Sequence, residues 1–110
     1  MTKASQFADA VSVAVQEHID RLRAELTFAS ARSLREAEGQ DIVVAGREVQ
    51  LTIFRQYDLP ILRGQVLITV QIARHSLGGI VAFRHERGLV FSPDAPTRDA
   101  TAGELSASGA

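Results

Sequence analysis

The chain has 110 residues, a formal net charge of −1 at pH 7 and no cysteine. That length fits one domain able to bury a core without staples, and the missing cysteines exclude disulfides and thiolate chemistry. So even a charge balance excludes a strongly basic nucleic-acid footprint, and no apolar run approaches the ~20 residues that a membrane span requires. The surplus of arginine over lysine reads as a bacterial-like coding bias. The N-terminus shows no charged stretch followed by an apolar run of the signal-peptide type. With the absence of cysteine, this leans the expected location to the cytoplasm.

Residues 5 to about 38 read as helix. Val11, Val15, Ile19, Leu22, Leu26 and Ala29 recur at spacings of four and three, which makes one apolar stripe. Ser5 is the expected N-cap and Gly39 the expected C′ residue. A helix of ~34 residues would be ~50 Å long, whereas strands of about nine residues span only ~30 Å. The helix therefore either breaks near residues 27–33, at Thr27, Ser30 and Ser33, or projects from the body.

Ile42 to Ala45 is a short first strand, turned by Gly46. Val49, Leu51 and Ile53 alternate with Glu48, Gln50 and Thr52 in a second strand. The connection from Gln56 to Gly64 carries Leu59, Ile61 and Leu62 and is unusually apolar for a loop. From Gln65 to Ala73 the alternation is cleanest, with Val66, Ile68, Val70 and Ile72 on one parity. Ser76-Leu77-Gly78-Gly79 supplies a turn, and Ile80 to His85 a fourth strand. Glu86-Arg87-Gly88 reads as a three-residue hairpin loop, with Gly at the left-handed position. Leu89 to Phe91 then returns as a fifth strand, ended by Pro93. Residues 93–110 lose all large apolar periodicity and read as a disordered tail, leaving a single domain over 1–92. The expected fold is α+β, with one long N-terminal helix, either continuous or broken near 27–33, on one face of an antiparallel meander of about five strands.

These loops imply registers. Ile72 would face Phe83, Val70 would face His85, and His85 would face Leu89. One sheet face then collects Val66, Ile68, Val70, Ile72, Val81, Phe83, Leu89, Phe91 and His85. The other collects Gln65, Leu67, Thr69, Gln71, Ala73, His75, Ile80, Ala82, Arg84 and Val90. A slip by one residue would wet the large apolar set, so the parity is strongly specified.

Catalytic and binding candidates are few. His75 and His85 fall on opposite faces and cannot share an ion, so no metal site is expected, and no cofactor motif is present. His85 projects with the core set beside a loop. A polar group at the rim of an apolar chamber could bind a ligand or act as a base, with Tyr57 as its candidate partner. Arg74 and His75 flank the glycine turn, and Arg84 neighbours His85, so these three join His85 as ligand-binding candidates. A triad of Ser76, His75 and Asp58 has no support in spacing. The outer face offers no aromatic platform on which nucleic-acid bases could stack.

The strongest feature is that outer face. Leu67, Ala73, Ile80, Ala82 and Val90 interrupt its polar residues, and small and apolar side chains among a few polar ones suit contact with another protein. These five, with Leu59 and Leu62 of the connection, are the expected interface. The functional expectation is a non-enzymatic homodimeric interaction module with a possible further protein partner. The alternative is a small-ligand binder or small enzyme whose pocket lies between helix and sheet and uses His85.

Overall fold

The computed structural model describes residues 3–75, 78 and 81–108. It has a helix α1 (Lys3–Glu25), a short helix α2 (Phe28–Arg32), and strands β1 (Ala37–Val44) and β2 (Arg47–Gln56). A 3₁₀ turn at Pro60–Leu62 leads to β3 (Val66–His75), β4 (Val81–Phe91), β5 (Arg98–Asp99) and a helix α3 (Ala102–Ala107). The strands form one antiparallel sheet in the order β1-β2-β3-β4-β5. The architecture is α+β, with the long helix packed on one sheet face.

The N-terminal helix does break. It stops at Glu25, and Thr27 caps a second helix, its Oγ1 accepting from Ser30 N–H while Ser30 Oγ accepts from Thr27 N–H. This reciprocal cap satisfies donors that a continuous helix would have bonded internally, so the chain can change direction there. What remains of α1, 23 residues, spans ~35 Å, close to the ~33 Å of a ten-residue strand. The length mismatch of an unbroken helix disappears. Two expectations fall with it. Ser5 lies inside α1 rather than capping it, and Gly39 lies inside β1, which begins at Ala37 and not at Ile42.

The stripe on α1 behaves as its spacing implies. Phe7, Val11, Val15, Ile19 and Leu22 are buried against Val66, Ile68, Val70, Ile72, Leu89 and Phe91. Fully burying one such aliphatic side chain contributes about 1.5–3 kcal/mol, so this layer dominates the fold's stability. Phe7 meets Phe83 edge-on at 5.3 Å between ring centroids and carries the Arg47 guanidinium on its ring. The parity of β3 is thus as expected, and Leu67 and Ala73 point away from the helix side.

β1 and β2 join through Ala45-Gly46, both with positive φ (51° and 76°). Such a two-residue turn matches the right-handed twist of its strands, and Gly bears the conformation without cost.

The expected end of the sheet is corrected. Glu86-Arg87-Gly88 is not a loop, because β4 runs unbroken through it and Leu89–Phe91 belongs to the same strand. His85 therefore pairs with Ile72 and not Val70, Phe83 pairs with Arg74 and not Ile72, and Val70 faces Arg87. The fifth strand is Arg98–Asp99, beside Leu89 and Val90. The segment expected to be a disordered tail thus supplies β5 and α3. The turn expected at Ser76–Gly79 lies outside the described residues except for Gly78.

Candidate functional site

The four ligand-binding candidates separate into three places. Arg74 and His75 are exposed and line a hollow of about 490 Å³ with Asp41, Gln50 and Ala73. Arg84 lies opposite Ala73 on the outer face, in an open trough of about 700 Å³ with Phe54, Gln56, Gln71 and Ser108. His85 stands opposite Ile72 on the helix side, half-buried, in a hollow of about 220 Å³ shared with Ile19, Gly88, Asp99 and Leu105.

His85 Nε2 is buried and has no hydrogen-bond partner among the described residues. Burial holds its pKa below the ordinary value of 6.5, repulsion from Arg87 adds to this, and Glu86 opposes it. Tyr57, the second candidate for chemistry, is not beside it. Leu51 pairs with Ile72 in the row of His85, and Tyr57 follows six residues further on, ~20 Å along the strand direction. The guanidiniums of Arg32 and Arg55 lie over its ring, at 5.2 and 4.8 Å from the centroid. Arg55 in turn donates to the carbonyls of Arg32 and Leu34, which closes the C-terminal end of α2. Cation–π packing at a helix end accounts for Tyr57.

The interface candidates meet a different fate. Leu62, Leu67 and Val90 are at most 1% exposed and form a second apolar cluster, with Leu59, Ala100 and Leu105 packed against it. The outer face is therefore apolar at this end, as its composition implies, but the chain's own C-terminal segment covers it. Ala73 is buried as well, and the side chains of Ile80 and Ala82 lie outside the described residues.

The covering segment is held by several devices. Ala100 N–H donates to Gly88 O at 2.8 Å. Arg98 grips Glu104 through two hydrogen bonds of 2.8 and 2.7 Å. The Glu104 carboxylate also accepts from Thr101 N–H at 2.9 Å, while Thr101 Oγ1 accepts from Glu104 N–H at 3.1 Å. Glu104 is only 5% exposed. The Arg98 hydrogen bonds overcome its desolvation and, with those from Thr101, hold its pKa down to about 2. Asp99 pairs with Arg23 of α1, and Gln56 Nε2 donates to Ser108 O at 3.1 Å.

Sequence reasoning missed Gly88, Arg98, Glu104 and Leu105. One signal was present: Thr101-x-x-Glu104 followed by Leu105 is a capping box before an apolar residue. The other was a glycine inside a strand pattern, which marks a close backbone approach as readily as a turn.

Two stretches of strand edge stay open among the described residues. β1 pairs only with β2, and its Val43 is 67% exposed. β4 is flanked by β5 only at Leu89 and Val90. No described helix is long and apolar enough to cross a membrane. No protein-family model matches the chain, and neither does any curated protein or any solved structure.

Proposed function

We propose that this chain is a non-enzymatic, cytoplasmic interaction module that works as a homodimer. The observation that carries the reading is the second apolar cluster. Leu67 and Val90, on the sheet face turned away from α1, gather with Leu62 of the 3₁₀ turn into a surface suited to packing against protein, which that turn and the short C-terminal segment cover. Two copies meet through the cover of that face, which its own chain already fills. The open edge of β1 is then offered to an extended segment of a further protein partner, whose backbone would add as a strand. Glu38 and Asp41 on that edge guard it against indiscriminate pairing. Light scattering tests the homodimer: a mass near twice the 11.9 kDa of one chain is expected, and a single-chain mass at every concentration overturns the reading.

His85 favours a second reading. Its unpartnered Nε2, and a hollow that Ile19 of α1 shares with β4 at His85 and with the C-terminal segment at Asp99 and Ala102, suit a small-ligand site at the edge of the helix–sheet layer. A screen of small carboxylic acids, read by the imidazole resonances of His85, tests it. Resonances that stay fixed throughout would end this reading.

A further inference from the structure

We infer that the homodimer forms by exchange of the C-terminal segment, residues 98–108 of one copy covering the outer face of the other. The inference rests on the homodimer reading above and gives it a mechanism.

Three features carry it. First, the segment is a unit in its own right. The Arg98–Glu104 pair and the Thr101–Glu104 cap are both internal to it, so its local structure survives transfer unchanged. Second, its attachments to the body are a definable set: Arg98 and Asp99 paired with Val90 and Leu89, Ala100 N–H on Gly88 O, Ala100 and Leu105 on the Leu62–Leu67–Val90 cluster, Arg23 on Asp99 and on the Thr97 carbonyl, and Gln56 on the Ser108 carbonyl. The same set forms whether the segment comes from its own chain or from a second copy. Third, the link between β4 and β5 is six residues, Ser92 to Thr97, with prolines at 93 and 96. Proline fixes φ near −65° and favours extended backbone in itself and in the residue before it. A short, stiff link that must fold back is the setting in which an element is exchanged between copies. Extended, it reaches about 20 Å, enough to carry the segment off its own face. The apolar cluster cannot be left bare, because exposing it costs burial energy, so the segment leaves only when another replaces it. A second copy supplies the one occupant already known to fit.

The contact between Arg23 and Asp99 makes this testable in the full chain. Arg23→Lys keeps the charge and places an amine beside the Asp99 carboxylate, so a carbodiimide joins the two as an amide with loss of water. The dimer fraction from size exclusion is treated and then run on a denaturing gel. Exchange predicts a dimer-mass band containing the peptide cross-linked between positions 23 and 99, and that peptide should be lost when Asp99→Asn is added. A dimer fraction in which the cross-linked peptide occurs only in monomer-mass bands overturns exchange and leaves the homodimer standing. Protein with no dimer fraction overturns both. Should Arg23→Lys disturb the fold, hydrogen exchange on the unaltered dimer and monomer serves instead: exchange requires Gly88 and Ala100 to be equally protected in both and the 92–97 link to differ, and an identical link overturns it.

Discussion

Gly88 and Ala100 approach so closely that a side chain on Gly88 would press on its neighbours. A Cβ built there would lie 3.0 Å from Ala100 Cβ, 3.0 Å from Leu105 Cδ2 and 3.1 Å from Leu67 Cδ1. The bare backbone is what lets Ala100 and Leu105 close over the outer face beside the edge strand β5. Gly88→Val should therefore dislodge the segment at a cost of about 1–3 kcal/mol, the usual range for overpacking. Amide hydrogen exchange should show protection lost across residues 98–107 and retained in α1 and β3. Unchanged protection in that segment would contradict the packing described.

The second expectation concerns acid. The Glu104 carboxyl titrates near 4.5 when free and near 2 in the fold. A depressed carboxyl stabilises the fold fully above its unfolded pKa and loses that contribution as pH falls toward the folded value. The shift itself sets a ceiling of about 3 kcal/mol, and the partly exposed Arg98 brings this to about 1–2 kcal/mol. Stability measured by urea and circular dichroism should decline between about pH 4.5 and 2. Glu104→Gln should be weaker than the parent at pH 7 and nearly equal to it at pH 2. A constant difference across that range would refute the assignment.

His85 titrates in the opposite sense for its type. Its folded pKa lies below 6.5, with burial as the main cause, so protonation favours the unfolded chain. Its contribution is complete above pH 6.5 and shrinks as pH falls to the folded midpoint. Imidazole resonances should give His85 a midpoint below 6.5, and His85→Phe should flatten the loss of stability just under neutrality. A midpoint above 6.5 would be inconsistent with this burial.

Val70 is 0% exposed and lies in the main core between sheet and helix. Val70→Asp buries an unpaired charge at a cost of several kcal/mol, a large part of what a small domain has. Far-UV circular dichroism should show an unfolded chain at 25 °C. A folded variant would mean that this side of β3 reaches water.

The parity of β3 was readable because Val66, Ile68, Val70 and Ile72 alternate with polar and small residues, and only one arrangement keeps all four dry. The break at Thr27 was half readable: a longer helix would outrun its sheet, which required either a break near Thr27, Ser30 and Ser33 or a projecting end, and the sequence did not choose between them. Gly88 misled because a glycine after Glu86-Arg87 satisfies a hairpin and a tight contact equally, and the contact depends on residues a dozen positions away. The C-terminal segment was obscured by composition: Ala, Ser, Gly and Thr resemble a solvated tail, and Leu105 is its one large apolar residue. What orders it is an ion pair and a docking surface, neither of which has a period. The outer face was read as polar positions interrupted by apolar ones and open to another protein, whereas at Leu67 and Val90 the chain itself covers it. That the same chain would cover it was not written in any local pattern.

The placement of Tyr57 governs how this protein can be watched by light. It is the one tyrosine, and tryptophan is absent, so emission in the tyrosine band originates at the corner where the Arg32 and Arg55 guanidiniums lie over a phenol. A fluorescence melt would follow α2 leaving the end of β2, and would report the dry layer under α1 only where the two come apart together. Any experiment meant to time the loss of the core needs a different chromophore.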